Sequence, residues 1–432
     1  MACFVDSAGI AIKVRCSAVN VHSLRHRLSR LRATIAAPQL PGRDSAIDGV
    51  HDLRSNHALS RDEYAHCVEL IGTLQSLYDG APDYVARHGI DPAIVNPGNE
   101  WTAISPVAGI KFKTAYNDLN FLRLHAPFAG YHMPVLDRLD AGGKFDKAEA
   151  AAFVTELYVD GVPDDIADQQ RMRFDPLTRL RHAVPEYLEH LRNIPPRYIV
   201  CTPRMFGEIG LDVNGVLVNP DVILCQSRVN GLYCSGVLDK LQADIDRRGR
   251  ARVLEIGAGW GGLAYALQQI FGERLEYVVV DLPSSLFYAM VYLSVLGGRD
   301  DCHLLTSDQM PPERFKYLFL ANHLLDRALP ALGPVDLALN CMSFPEMSAV
   351  QVRYYGEVIK RLIGRDGVLF EENGIVHAHH VDCKAIFREI FSYHRHVTSN
   401  VVTTKNWCQD VWTTRYIGTI FDRSDVAPLK AD

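Results

Sequence analysis

Apolar and polar positions along this chain fall into two regimes. From residue 251 onward, short apolar runs alternate with stretches of helical period, the pattern of a sheet with crossover helices. Ala251-Arg-Val-Leu-Glu-Ile256 predicts a strand. After a glycine-rich turn, Leu263, Ala266, Leu267, Ile270 and Phe271 mark one face of a helix closed by Gly272. Tyr277–Asp281 predicts a second buried strand, and Pro283 opens a helix with Leu286, Met290 and Leu293 on one face. Two stretches, Cys302–Thr306 and Lys316–Ala321, qualify as the third strand; the second is favoured because it is longer and better flanked. Val335–Asn340 and Gly367–Glu371 follow as strands. Between them lies a helix with Tyr355, Val358, Ile359, Leu362 and Ile363 on one face, stopping at Gly364. A helix over Cys383–Phe391 and two strand-like stretches, His396–Thr403 and Asp410–Ile420, complete the pattern.

Upstream the signal is mostly helical from about 58 to 200. Ser60-Arg-Asp-Glu63 reads as a capping box, and Ala150–Tyr158 and Leu177–Leu191 have helix-forming composition. Trp101, Phe112, Tyr116, Phe121 and Phe128 suit a core better than a ligand cleft. Residues 1–43 are basic, with Lys13, Arg15, Arg25, Arg27, Arg30, Arg32 and Arg43 against a single acid, Asp6. Two expectations stand there: a basic helix over Val21–Ala36, or an organellar transit peptide, the less favoured of the two. The tract Pro38–Asp44 breaks any such helix and predicts a linker. The expected division is an arm and linker over 1–57, a helical accessory domain over 58–200, and a catalytic domain over 201–432.

The length of 432 residues predicts more than one core. A net charge of −6 argues against a nucleic-acid partner held on one basic face. No apolar run reaches membrane-spanning length. The 10 cysteines form no C-x-x-C pair, so a reduced, cytoplasmic protein without structural zinc is expected.

The chemistry begins at the glycine turn. Gly257, Gly259 and Gly262 satisfy G-x-G-x-x-G, and Asp281 closes the next strand, where it can grip a ribose diol. A nicotinamide dinucleotide and S-adenosylmethionine (SAM) both fit that pattern. Glu255, two positions before the first glycine, favours SAM: it would repel a pyrophosphate and attract an ammonium and a sulfonium.

Leu254-Glu-Ile-Gly-Ala-Gly-Trp-Gly-Gly262 with Val280-Asp-Leu-Pro283 resembles class I SAM-dependent methyltransferases. More narrowly, the chain is similar to the bacterial sugar O-methyltransferase family. That similarity rests also on Phe206-Gly-Glu-Ile-Gly210, Gly215-Val-Leu-Val-Asn219, Gln226-Ser-Arg228, Asn340-Cys-Met-Ser-Phe-Pro-Glu-Met347, and Tyr354 or Tyr355. It covers roughly 200–380, and Trp260 departs from it where a smaller aromatic is expected. The first 60 residues match no pattern.

The resemblance implies an α/β fold, a Rossmann-like seven-stranded methyltransferase sheet ending in a β-hairpin, preceded by the mostly helical accessory domain. It implies methyl transfer from SAM to a hydroxyl of a sugar or glycosylated small molecule. Cofactor contacts are expected from Glu255, Gly257, Ala258, Gly259, Asp281, Leu282 and Asn340. Gln226 and Arg228 either cover the methionine end of SAM or form an ordinary polar helix face. A hydroxyl is a poor nucleophile near neutral pH, so a base is needed. Glu346, after the fourth strand, is the first choice and His377 the second, with His323 a weaker, surface candidate. His377, His379 and His380 also invite a metal, but none is assigned, because three histidines within four residues rarely converge on one ion. Alternatives are another natural-product hydroxyl or amine as acceptor, a nicotinamide oxidoreductase, and a non-catalytic SAM-binding protein. The expected partner is a small-molecule acceptor, with no nucleic acid and no membrane, and homo-oligomerisation is left open.

Overall fold

The computed structural model describes residues 47–51, 56–98, 112–125, 184, 187–188, 191, 194–208, 210–213, 215–363, 366–373, 381–391, 393–397 and 417–422. Early in the chain come β1 (Ile47–His51), α1 (Arg61–His88), α2 (Pro92–Val95), α3 (Tyr116–Asn120) and α4 (Leu122–His125). The capping box at the start of α1 forms as expected. Ser60 Oγ accepts the Glu63 N–H while the Glu63 carboxylate accepts the Ser60 N–H at 2.8 Å. The helix stops at Gly89, whose φ of 63° is left-handed. β2 (Gly210–Val213) and β3 (Val216–Val218) join β1 in a small antiparallel sheet, and α5 (Pro220–Cys234) and α6 (Val237–Arg248) lead into the main sheet.

That sheet is built from β4 (Ala251–Ile256), β5 (Leu275–Asp281), β6 (Cys302–Leu304), β7 (Tyr317–Ala321), β8 (Leu337–Cys341), β9 (Val368–Asn373), β10 (Tyr393–Val397) and β11 (Ile417–Asp422). The helices between its strands are α7 (Gly262–Phe271), α8 (Pro283–Gly297), α9 (Leu325–Leu332), α10 (Ala349–Leu362) and α11 (Cys383–Ile390). The strand order is β10-β11-β9-β8-β4-β5-β7-β6. Only β11 is reversed, running antiparallel to both β9 and β10. This is the Rossmann-like sheet with a C-terminal hairpin that the sequence led us to expect; among the described residues it carries one short edge strand, β6, beyond the seven. Both competing stretches are strands. Tyr317–Ala321 takes the inner place beside β5, and Cys302–Leu304 adds outside it as an edge. Each is a short apolar run able to pair on one side, so periodicity could not have excluded either. The hairpin also starts earlier than predicted, at Tyr393. Tyr393-His-Arg-His-Val397 hides its strand character behind polar residues.

Parallel strands covered on both faces should be apolar throughout, and β7 and β8 are buried at every position. Alternate residues separate into two layers. Val253, Val279, Phe319, Leu339 and Phe370 pack with α7 and α8; Leu254, Val280, Leu318, Ala338 and Leu369 pack with α9, α10 and α11. Helix α8 is apolar on every side because it lies between the sheet and α1, whose Cys67, Ile71 and Leu74 join the same core. Phe112 meets Phe287 of α8 edge-on at 6.0 Å and Phe121 is buried, so these two aromatics serve the core. Tyr116 is 41% exposed and donates to Leu59 O at 2.6 Å. Trp101, Phe128, the Val21–Ala36 arm, Ala150–Tyr158 and most of Leu177–Leu191 lie outside the described residues. No described helix is long and apolar enough to cross a membrane.

The neighbours of β4 are β5 on one side and β8 on the other. The chain order reverses there, which opens a crevice at the carboxyl ends of these strands.

Candidate functional site

The crevice floor is the turn between β4 and α7. Gly257, Gly259 and Gly261 have φ of 72°, 60° and 86°, left-handed values that side chains rarely adopt. The Gly257 N–H donates to Val280 O at 2.8 Å, tying the turn to β5. A Cβ on Gly257 would overlap the Ser343 side chain. Ser343 is brought there by Met342, whose φ of 69° turns the chain sharply at the end of β8. Asn340, fully buried, completes the brace. Its Nδ2 donates to Ile256 O at 2.8 Å and Ser343 Oγ at 2.5 Å, and its Oδ1 accepts the Phe344 N–H at 3.2 Å. What Asn340 visibly does is hold the turn and the next loop together. Ala258 is half-buried against the core, and Leu282, half-buried, caps α8 and donates its N–H to Asp281 Oδ1 at 2.8 Å.

Glu255, Asp281, Cys341 and Glu372 follow Val253, Val279, Leu339 and Phe370 by two residues, so they share one sheet face at the carboxyl edge. Arg228 of α5 donates to Glu372 at 3.0 Å and neutralises it. Glu255 is buried and accepts the Tyr277 hydroxyl at 2.8 Å. Burial pushes its carboxyl up to about 7, against the pull of Tyr277 and Arg228. Burial also pushes Asp281 up to about 7; the Leu282 and Gly259 N–H groups oppose the rise and the charge of Glu255 adds to it. Among the described residues neither acid has an ion-pair partner. The turn is thus flanked by two carboxyl groups.

Glu346 ends a short turn, Phe344–Glu346, beyond β8 and is half-buried. The chain just after α2 lies against it: a Cβ on Gly98 would overlap Glu346 O. This strap is held by its own carbonyls. Asn322 donates to Val95 O at 2.8 Å, and Gln351 to Ile94 O at 3.2 Å and Asn96 O at 2.6 Å. His323, expected at the surface, is instead buried edge-on to Tyr84 at 5.6 Å, and burial lowers it to about 4. It is a neutral core residue because α1 packs over the end of β7. His377, His379 and His380 lie outside the described residues. Among the described residues no group of His, Cys, Asp and Glu could hold a metal.

Gln226 and Arg228 face inward rather than forming a polar surface. The Gln226 amide accepts the Val200 N–H at 2.7 Å and donates to Tyr198 O at 3.0 Å and Asn230 Oδ1 at 2.7 Å. Arg123 is the residue that no pattern in the chain singles out. It is wholly buried, donates to Glu208 at 2.6 Å and to Asp221, and lies with its guanidinium carbon 3.6 Å from the centroid of the Trp260 ring. Glu208 lies within Phe206–Gly210, but its partner sits far upstream, so only the fold reveals the pair.

No family profile and no curated protein matches the chain. Cofactor-bound Rv0187 from MTB aligns over 65% of this chain and 100% of its own, at 16% identity and a TM-score of 0.31. CrArsM, an arsenic(III) S-adenosylmethionine methyltransferase from Chlamydomonas reinhardtii, aligns over 39% of this chain and 62% of its own, at 16% identity and a TM-score of 0.24. WbdD aligns over 44% of this chain and 40% of its own, at 12% identity and a TM-score of 0.30. Likenesses this distant add nothing to what the strand order and the crevice establish by themselves.

Proposed function

We propose that this protein is a SAM-dependent O-methyltransferase acting on a hydroxyl of a sugar or glycosylated small molecule. One observation carries the cofactor: Glu255 and Asp281 flank the glycine turn and, among the described residues, neither forms an ion pair. A ligand bearing an ammonium and a sulfonium satisfies both acids, and the Asp281 carboxylate can also accept the hydroxyls of a ribose. A dinucleotide would set its pyrophosphate against Glu255, an unfavourable pairing whenever that acid is ionised. The acceptor class rests on the sequence resemblance across 200–380, most specific in the segment before the glycine loop together with Ser343–Met347.

When bound, SAM supplies an electrophilic methyl group. The chain's part is to orient and to move a proton. Glycines 257 and 259 let a ligand approach the backbone, Asp281 and Glu255 fix its two ends, and Leu282 packs beside it. Alignment of hydroxyl, methyl and sulfur supplies much of the rate. Glu346 takes the hydroxyl proton as the oxygen–carbon bond forms, with His377 as the alternative base.

Mass spectrometry of a panel of glycosides and free sugars incubated with SAM tests this. A mass gain of one methyl group, with S-adenosylhomocysteine (SAH) released in equal amount, is expected. Methylation of amines alone would move the acceptor to another class. SAM binding without transfer to any acceptor would leave a binding protein.

A further inference from the structure

The cofactor turn is soft by composition. Between Gly257 and Gly262 the only side chain larger than a methyl group belongs to Trp260. Three glycines of the turn are left-handed, and freezing glycine backbone is entropically costly. Whatever holds Trp260 therefore holds the turn.

Trp260 is held from several sides. Tyr292 of α8 meets it edge-on at 5.0 Å. Its ring lies over Gly262 so closely that a Cβ there would overlap it. Against its face lies the Arg123 guanidinium, with the central carbon 3.6 Å from the ring centroid. That guanidinium cannot drift. Its Nε donates to Glu208 at 2.6 Å, a terminal nitrogen donates to Asp221, and the Arg123 backbone N–H donates to Phe206 O at 2.9 Å. Glu208 is fixed in turn by Asn219 Nδ2 at 2.8 Å. The remaining terminal nitrogen, Nη1, is buried without a hydrogen-bond partner. The geometry thus gives up one hydrogen-bonding direction and keeps the flat stack.

A buried ion network is a poor stabiliser, because desolvation offsets most of its Coulombic attraction. What it supplies here is direction: a planar cation locked in its own plane and stacked on the indole of the flexible turn. We propose that Arg123 is a positioning residue for the cofactor. By stacking on Trp260 it holds the glycine turn in the shape that admits SAM, so that a segment far upstream of the sheet sets cofactor affinity and leaves acceptor affinity alone. This rests on the assignment of the turn to SAM.

The test is a double-mutant cycle on SAH affinity by titration calorimetry, with acceptor KM measured at saturating SAM. Arg123→Lys keeps the charge near Glu208 and Asp221 and removes the flat face; Trp260→Leu removes the ring. Arg123→Lys should weaken SAH binding by roughly tenfold to thirtyfold, the worth of a desolvated cation–π stack. Acceptor KM should stay at the wild-type value. In the Trp260→Leu background, Arg123→Lys should cost no further affinity. Wild-type SAH affinity in folded Arg123→Lys, or an undiminished loss without Trp260, overturns the proposal. Should Arg123→Lys not fold, Gly262→Ala displaces the indole and leaves the ion network intact. The same loss is then expected, and unchanged affinity is equally fatal. If the wild-type protein binds neither SAM nor SAH, the cofactor assignment falls and takes this proposal with it; binding with a flat cycle removes Arg123 alone.

Discussion

Glu255 and Asp281 are placed to respond to both pH and ligand. Each is raised to about 7, chiefly by burial, above the ordinary carboxyl range. A folded-state value above the unfolded one stabilises below the unfolded value, and that contribution is lost as pH rises through about 7. The protein therefore loses stability from these two groups between about pH 4 and about pH 7. A cation prefers the ionised acids, so SAM affinity should rise across the same upper range, with protons released on binding. Calorimetry in two buffers of different ionisation enthalpy should report that release at about pH 6 and almost none at about pH 8. Glu255→Gln should remove part of it. Affinity independent of pH would mean that the acids do not face the ligand. At this scale the sequence showed what lies next to the turn. Glu255, Asp281 and the glycines could be placed because strand, turn and acid follow one another within one β-α-β unit. Asn340 was visible as a site residue, but its hydrogen bonds to Ile256 and Ser343 depend on the left-handed Met342, which no pattern announces. Arg123 was invisible for the same kind of reason: Trp260 and Glu208 meet it only in the folded molecule.

Among the elements, the loop after β8 and the strap after α2 meet at Glu346. If Glu346 is the base, Glu346→Gln should leave SAM affinity nearly intact and lower kcat by roughly 10²–10⁴, while His377→Ala costs far less. The reverse ranking in steady-state kinetics would move the base beyond β9. Gln351 is nearly buried and supports the strap through the Ile94 and Asn96 carbonyls. Gln351→Leu should cost about 1–3 kcal/mol in denaturant unfolding, because buried acceptors lose their donor. It should also raise acceptor KM, since the strap borders Glu346; a KM that stays put would mean the strap only supports the fold. Most elements could be read from period and punctuation, as with Ser60 opening α1 and Pro283 opening α8. The strand count could not. β6 and β7 are both strands because one shields the edge of the other, a tertiary relation that two equally apolar runs do not display. The start of β10 was missed because its residues are polar.

At the scale of the whole molecule, the sheet and its two layers leave one crevice where the order of strands reverses at β4, and the chemistry gathers there. α1 reaches this region from the early part of the chain. It covers α8 and buries His323, turning one sequence-level base candidate into core. Ligand binding at the crevice should therefore stabilise the whole protein through linkage, by about 2.7 kcal/mol at a hundredfold excess over Kd. The most direct measurement of the central claim is titration calorimetry of SAM, SAH and nicotinamide dinucleotides against the wild-type protein and Asp281→Ala. The account predicts that SAM and SAH bind the wild type and the dinucleotides do not. It also predicts that folded Asp281→Ala loses roughly 1.5–3 kcal/mol for each charge-assisted bond to the ribose. Tight dinucleotide binding, or SAM affinity unchanged in folded Asp281→Ala, would contradict it.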